Sequence, residues 1–234
     1  MRRFRDAPPK AVLLDSLGTL LRMKPPAPLL RAQLAGLGFE ISLEEAEAAI
    51  SAEISYYLEH HTEGRDSSSL AELRNRCAGV VHDELGLPAL SMEATRAALL
   101  ASLRFEAYPD AAPALRELRD RGLRLVVASN WDSSLREVLA RAGIDQLIDD
   151  VVTSAEVGAR KPDAAVFEAA LQAAGSTPAE AVHVGDSLEN DIGGAHTAGV
   201  RAVLLRRSSD SPAPSGIPVI SSLAELPALL LSPE

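Results

Sequence analysis

Short runs of apolar residues, several of them ending at a polar residue, recur along the first and last parts of the chain. They cover residues 10–15, 123–128, 150–153, 181–184, 200–205 and 218–220. Continuous apolar runs of this length, without alternating polar positions, are typical of strands that are buried on both faces of a parallel sheet. We therefore predict six strands, of which the last is short.

Stretches with helical periodicity separate these predicted strands. They cover residues 109–121, 133–141, 163–174 and 191–198, and each is closely followed by a glycine. Glycine is a common helix stop because it adopts left-handed backbone angles without strain. Alternation of strand and helix predicts a doubly wound parallel sheet, so the expected fold class is α/β with a Rossmann-like core.

Residues 23–106 interrupt this alternation. The segment begins with a proline-rich stretch and contains no clear strand, but it includes helical patterns such as that from Leu43 to His60. A polar stretch at residues 62–69 is predicted to be a loop. We therefore expect two domains, which are a parallel-sheet core formed by residues 1–22 and 107–234, and an all-α domain, 23–106, inserted between the first and second strands.

Composition and charge restrict the function classes open to the chain. Of its 234 residues 47% are hydrophobic but only 3% are aromatic, so the core must consist mainly of Ala, Leu and Val, which suits helices packed on a sheet. The net charge of −10 disfavours nucleic acids and anionic membranes as partners, because both repel an acidic surface. The basic residues Arg2, Arg3 and Arg5 are expected to form a solvated tail.

A single cysteine and the lengths of the apolar runs predict a cytoplasmic protein. Cys77 has no second cysteine with which to form a disulfide or a zinc site, so we expect an ordinary thiol in a reducing compartment. No stretch reaches the roughly 18 apolar residues of a membrane span, and the first apolar run is too short for a signal peptide. The acidic surface is compatible with a monomer or a homodimer, and the Ser- and Pro-rich residues 208–214 are predicted to form a surface loop.

Polar side chains cluster where the predicted strands end. Asp15, Ser129 and Asp186 each follow a strand directly. Asp191 comes shortly afterwards, at the start of a predicted helix, and Lys161 precedes the fourth strand. Ligands bind at the carboxyl ends of the strands in parallel α/β sheets, so these side chains are expected to converge there. Carboxylates suit Mg²⁺, and lysine with serine suits phosphate oxygens.

The same residues fall into four short motifs. These are Asp15-Ser16-Leu17-Gly18-Thr19, Ser129 after its strand, Lys161-Pro162-Asp163, and Gly185-Asp186 followed by Asp191. In these motifs, their order and their spacing, the chain resembles the haloacid dehalogenase-like (HAD) superfamily over nearly the whole predicted core. A Gly-Asp pair alone would be weak evidence, whereas four ordered motifs at strand ends are specific. The resemblance implies a Rossmann-like core with a helical cap after the first motif, and a phosphatase-type hydrolase.

The resemblance implies a role for each acidic residue. Asp15 would be the nucleophile that forms an aspartyl phosphate with a small phosphorylated metabolite as substrate. Mg²⁺ would be the cofactor, bound by Asp15, by the backbone carbonyl of Leu17 and by Asp186. Asp191 would support the metal directly or through water.

The resemblance also implies a phosphate-binding group. Ser129 and Lys161 would hold the transferring phosphoryl group, and Lys161 would reduce the repulsion between Asp15 and that anion. Thr19 would steady the loop and is counted with the phosphate-binding candidates. For Asn130 two roles stay open, which are phosphate binding and stabilisation of its loop.

The first motif departs from the family pattern at Leu17, where phosphatases of the family carry a second aspartate. That aspartate protonates the leaving oxygen and then activates water, and such help is worth about 10²- to 10⁴-fold in rate. We therefore expect impaired acid–base catalysis unless a cap residue substitutes, the candidates being His60, His61 and Glu63. Two alternatives stay open: a catalytically weak or inactive binding or regulatory protein, and a 2-haloacid dehalogenase, although dehalogenases of the family do not usually keep the fourth motif.

Overall fold

The computed structural model describes residues 8–207 and 215–231. The tail with Arg2, Arg3 and Arg5 and the predicted loop at 208–214 lie outside the described residues. By its internal contacts the chain divides into two compact units, of which the first comprises Met1–Arg22 with Ala107–Glu234 and the second Met23–Glu106.

A six-stranded parallel sheet forms the centre of the first unit. The strands of the described chain are β1 (Ala11–Leu14), β2 (Leu21–Met23), β3 (Phe105–Ala107), β4 (Arg124–Ser129), β5 (Asp150–Thr153), β6 (Ala181–Gly185), β7 (Arg201–Leu205) and β8 (Val219–Ile220). The sheet order is β5-β4-β1-β6-β7-β8, and each neighbouring pair is parallel. The predicted α/β class with a Rossmann-like parallel sheet is therefore confirmed.

Helices connect the strands of the first unit and build the second. The α-helices are α1 (Pro26–Gly36), α2 (Leu43–His60), α3 (Ser67–Leu85), α4 (Met92–Ser102), α5 (Ala111–Asp120), α6 (Leu135–Arg141), α7 (Ser154–Val157), α8 (Ala164–Ala174), α9 (Gly194–Thr197) and α10 (Leu226–Leu231). In the first unit, Val166 and Phe167 of α8 pack with Leu13 and Val126 of the sheet in one buried apolar cluster. None of the helices in the described ranges is both long and apolar enough to cross a membrane.

The second unit has its own core, formed by α1 to α4. Leu30, Leu34, Leu73 and Leu99 are almost completely buried in it, and Cys77 is a buried free thiol beside them. The predicted helix from Leu43 to His60 has the same bounds in the structure. Its start is fixed by a capping box, in which the Ser42 hydroxyl accepts from the Glu45 N–H and the Glu45 carboxylate accepts from the Ser42 N–H.

Two local predictions for the second unit are wrong. The polar stretch at 62–69 is not a loop throughout, because α3 begins at Ser67 and the Asp66 carboxylate accepts hydrogen bonds from the Ser68 and Ser69 N–H groups. The polar residues form a helix cap. The prediction of no strand also fails at the edges of the segment, where β2 and β3 pair with each other in a two-stranded sheet. These strands have three residues each and mixed polarity, so they leave no apolar run in the sequence.

Candidate active site

Asp15 lies at the carboxyl end of the central strand of the sheet. Its backbone N–H donates to the Val184 carbonyl at 2.9 Å, which extends the pairing of β1 with β6 by one residue. Because β1 lies between β4 and β6, the ends of all three strands meet at one edge. Asp15 is 7% exposed there, next to the ends that carry Ser129 and Asp186.

A buried lysine joins two of the predicted carboxylates. Lys161 Nζ lies 2.7 Å from Asp15 Oδ1 and 2.6 Å from Asp191 Oδ1, and its side chain is 2% exposed. A charge buried to this extent is stable only when it is paired and hydrogen-bonded. The structure therefore brings Asp15, Lys161 and Asp191 together as the sequence predicts.

Asn130 holds the backbone of the segment that carries Lys161. Its Oδ1 accepts from the Lys161 N–H at 2.7 Å, and its Nδ2 donates to the Lys161 carbonyl at 3.0 Å. The two bonds fix the peptide groups on either side of the lysine. The contacts shown are those of loop stabilisation, and phosphate binding by Asn130 stays a prediction.

Asp191 lies within a π-helical turn rather than at the start of a helix. The turn spans Leu188–Gly193, and Ser187 is its N-cap, accepting from the Asn190 N–H at 3.1 Å. The prediction that a helix begins at Asp191 is wrong, because the serine hydroxyl caps the turn one position before it starts. The Asp191 carboxylate is held from several sides, since Oδ2 accepts from the Ser187 N–H at 2.9 Å and Oδ1 faces Lys161.

His183, which lies in none of the four motifs, is a further member of the site. Its Nε2 lies 3.0 Å from Asp191 Oδ1, and because a carboxylate only accepts, the imidazole donates. The ring is completely buried and meets Phe167 edge to face at 5.1 Å. The sequence does place this histidine inside an otherwise apolar buried strand. Because a buried polar group needs a hydrogen-bond partner, this position could have indicated such a contact.

Two glycines allow the acidic side chains to approach the backbone. A Cβ on Gly185 would lie 2.2 Å from Asp191 Cγ, and one on Gly18 would lie 2.0 Å from Asp186 Oδ2. Gly18 also has a φ of 86°, in the left-handed region. The loop of residues 17–19, which we call the nucleophile loop because Asp15 is the predicted nucleophile, therefore runs directly against the exposed Asp186 carboxylate.

The three carboxylates form a group that could hold a metal ion. One oxygen from each of Asp15, Asp186 and Asp191 lies within 4.8 Å of the other two. Hard oxygen donors in this number suit Mg²⁺, which usually takes one or two carboxylates and keeps several waters. The donor set and the close approach of the loop at Gly18 therefore fit the predicted cofactor.

The pKa values in the cluster diverge. Burial raises the pKa of Asp15 to about 6, although the Lys161 ammonium opposes this, and burial with Asp191 nearby also raises the pKa of Asp186. Burial acts in the same direction on Asp191, but Lys161 and His183 outweigh it and hold the pKa of that carboxyl well below its usual range. The Lys161 pKa is raised, since the two carboxylates outweigh the effect of its burial. The surroundings thus favour the ionised form of Asp191, whereas they favour the protonated forms of Asp15 and Asp186.

Ser129 and Thr19 are both buried at this edge of the sheet. The Ser129 hydroxyl shares a 2.6 Å hydrogen bond with the hydroxyl of Ser16, which sequence reasoning left without a role. The Ser16 carbonyl accepts from the N–H groups of Thr19 and Leu20 and closes the turn. Within the described residues the Thr19 hydroxyl has no hydrogen-bond partner. Phosphate binding by Ser129 and Thr19 stays a prediction.

The cap candidates for the missing acid lie in the second unit. His60 stacks on Tyr56, and its Nδ1 lies 2.8 Å from the Tyr56 carbonyl oxygen, while His61 is buried. Glu63 forms an ion pair with Arg76, which lowers the pKa of Glu63 and makes it a poor proton donor near neutral pH. Transfer of a proton to the substrate by any of these residues stays a prediction.

The raised pKa of Asp15 predicts how the stability of the metal-free protein depends on pH. The folded state keeps this proton up to about pH 6, whereas the unfolded chain loses it near 3.8, so the free energy of unfolding falls as pH rises through that window. Asp15→Asn removes this titration, so the stability of the variant relative to wild type should rise between about pH 4 and neutral pH. Urea unfolding in EDTA from about pH 4 to about pH 7 measures the difference, and parallel curves for the two proteins would contradict it.

Comparison with known proteins identifies the family. The haloacid dehalogenase-like hydrolase family matches residues 9–199 of the chain. A phosphoserine phosphatase of Thermus thermophilus is 40% identical over 134 residues, which are 57% of this chain and 54% of that protein. A glyceraldehyde 3-phosphate phosphatase of Methanopyrus kandleri is 43% identical over 101 residues, which are 43% of each protein. The chain thus spans about half the length of the curated relatives it matches.

Solved structures agree with the sequence comparison. The crystal structure of a HAD phosphatase from Thermococcus onnurineus superposes with a TM-score of 0.65 and 29% sequence identity, covering 95% of this chain and 98% of that one. Both this structural match and the family match over residues 9–199 include residues of the two units. The chain therefore belongs to the haloacid dehalogenase-like hydrolase family.

Proposed function

We propose that the protein is a Mg²⁺-dependent phosphatase that acts on a small phosphorylated metabolite through an aspartyl phosphate on Asp15. The observation that carries the proposal is the buried Asp15, which lies 2.7 Å from Lys161 Nζ and within 4.8 Å of the Asp186 and Asp191 carboxylates. A nucleophilic carboxylate beside a fixed cation and further metal-binding oxygens suits phosphoryl transfer, in which positioning and charge stabilisation dominate.

Asp15 would attack the phosphorus with its free carboxylate oxygen, since Oδ1 is held by Lys161, and the P–O ester bond would break to release the alcohol. Lys161 would lower the repulsion between Asp15 and the incoming anion, and Ser129 would donate to a phosphoryl oxygen. Asp191 would keep Lys161 in place through its 2.6 Å contact. Mg²⁺, held by Asp15, the Leu17 carbonyl and Asp186 with support from Asp191, would neutralise charge on the phosphoryl oxygens.

The side chain at position 17 limits the proposed turnover. Leu17 is 42% exposed and cannot give a proton to the leaving oxygen or take one from water. Substrates with acidic leaving groups need less protonation, so they should react faster than alkyl phosphates. The second half of the reaction, attack of water on the aspartyl phosphate, lacks the same base.

Two features support a small phosphorylated metabolite as the substrate. The relatives named above act on phosphoserine and glyceraldehyde 3-phosphate, which are both phosphate monoesters of small metabolites. The unit Met23–Glu106 is inserted directly after the nucleophile loop and its following strand, where a cap would control access. We propose that this unit is the cap and selects the substrate, and that Met1–Arg22 with Ala107–Glu234 is the catalytic core.

The test is an assay of phosphate release in Mg²⁺ and in EDTA, with p-nitrophenyl phosphate and a panel of small phosphate monoesters. We expect Mg²⁺-dependent release, faster with the nitrophenyl ester than with alkyl esters. The absence of turnover with every substrate would favour a binding or regulatory protein instead. Metal-independent halide release from 2-chloropropionate would favour dehalogenation.

A further inference from the structure

Arg207 connects the region after β7 to the nucleophile loop. Its Nε donates to the Gly18 carbonyl at 3.2 Å, and its Nη2 donates to the Thr19 carbonyl at 2.7 Å. None of the four sequence motifs includes this arginine. It binds two consecutive carbonyls of the loop that starts two residues after Asp15.

The Arg207 guanidinium is itself held firmly. Nη1 and Nη2 lie 2.9 and 3.0 Å from the two carboxylate oxygens of Asp110, and the guanidinium carbon lies 3.6 Å from the centre of the Tyr108 ring. Asp110 in turn accepts from the Ser222 hydroxyl at 2.6 Å and from the Leu223 N–H at 2.9 Å. A bidentate, stacked and mostly buried arginine has a defined orientation, unlike most surface ion pairs.

This arrangement fixes the peptide groups around the predicted metal ligand. The Gly18 N–H donates to the Leu21 carbonyl at 2.8 Å, and because the Leu17–Gly18 peptide is trans, the Leu17 carbonyl points the opposite way. The next two carbonyls, of Gly18 and Thr19, are those that Arg207 binds. The direction of the Leu17 carbonyl thus depends on bonds at both ends of the turn, and Arg207 makes two of them.

The loop that Arg207 binds also packs against the neighbouring carboxylate. A Cβ on Gly18 would lie 2.0 Å from Asp186 Oδ2, so the path of this loop sets the space beside Asp186. The two proposed ligands, the Leu17 carbonyl and Asp186, therefore both adjoin the backbone that Arg207 holds. Arg207 would act on them through this backbone, without contact with the substrate.

We propose that Arg207 is a positioning residue that sets the nucleophile loop for metal binding, with Asp110 and Tyr108 as its support. The inference rests on the proposed function, since it assumes that the Leu17 carbonyl and Asp186 bind Mg²⁺. Its consequence is a metal affinity that depends on a side chain outside the four motifs. Replacing a residue that orients a metal ligand without binding the metal itself typically changes metal affinity by about 10- to 100-fold.

The test measures divalent-metal affinity of the full chain without substrate. Calorimetric titration with Mg²⁺, and Mn²⁺ binding by electron paramagnetic resonance, give the dissociation constants of wild type and Arg207→Met. Arg136→Met is the matched control, since Arg136 pairs with Asp150 at 3.0 Å and donates to the Val151 carbonyl away from the nucleophile loop. Asp110→Asn is the second variant, because it removes the carboxylate charge that orients Arg207 with little change of volume.

We expect Arg207→Met to raise the dissociation constant at least about 10-fold and Asp110→Asn to raise it in the same direction, while Arg136→Met stays within about two-fold of wild type. Arg207→Lys should restore part of the affinity, since it keeps the charge and one donor. A lower melting temperature with unchanged affinity in both Arg207→Met and Asp110→Asn would show a merely structural role and overturn the proposal. Failure of wild type itself to bind either metal would overturn the proposed Mg²⁺ site together with this inference.

Discussion

Replacing Asp15 by Asn should lower phosphate release by at least about 10³-fold, because the amide cannot attack phosphorus. The substitution keeps the shape of the side chain, and Lys161 keeps its 2.6 Å contact with Asp191. The loss should therefore appear in kcat rather than as unfolding. Initial rates with p-nitrophenyl phosphate in Mg²⁺ measure it, together with a melting curve.

The matched control for Asp15→Asn is Asp150→Asn. Asp150 begins β5 at the amino end of the sheet and pairs with the exposed Arg136, so this substitution removes one carboxylate charge far from the proposed site. It should leave the rate within about two-fold, as is usual for surface changes. Equal activity of Asp15→Asn and wild type would show that another group carries out the hydrolysis.

Replacing Leu17 by Asp should raise the turnover of alkyl phosphates by about 10²- to 10⁴-fold, the range that general acid–base catalysis supplies. The leucine side chain is 42% exposed, so the change costs little packing and places a carboxyl two residues after the nucleophile. Both half-reactions should gain, because the same carboxyl protonates the leaving oxygen and then activates water. The gain should be smaller with p-nitrophenyl phosphate, since nitrophenolate leaves without protonation.

Leu17→Asn separates proton transfer from polarity. It has nearly the size and polarity of the aspartate but cannot exchange a proton, so its rate should stay within a few-fold of wild type. An equal rise in Leu17→Asp and Leu17→Asn would attribute the gain to polarity. No rise in Leu17→Asp would show that the proton is supplied elsewhere, with His60, His61 and Glu63 as the candidates to replace next.

The parts of the fold that sequence could predict are those set by local pattern. Buried parallel strands appear as apolar runs, and the α2 bounds follow from a serine cap and continuous helical periodicity. Strands β2 and β3 were not predicted, because three residues of mixed polarity are too few to show a periodic pattern. Their pairing also joins segments that are about eighty residues apart in sequence.

The residues of the candidate site also fall into those that the sequence could predict and those that it could not. The motif residues could be found because strand ends place Asp15, Ser129 and Asp186 at one edge of the sheet. The contacts of His183 with Asp191 and of Arg207 with the nucleophile loop could not, since each depends on where a side chain points after distant segments pack. Such partners leave only an isolated polar residue in the sequence, with no spacing that indicates its partner.

The proposed function requires phosphorylation of Asp15, which detection of the phosphoryl enzyme can test. The protein is mixed with p-nitrophenyl phosphate in Mg²⁺, quenched in acid, reduced with borohydride, digested and mapped by mass spectrometry. We expect homoserine in place of Asp15, formed by reduction of the aspartyl phosphate, and none in Asp15→Asn. Phosphate release by wild type with an unmodified Asp15, or with the modification at another residue, would contradict it.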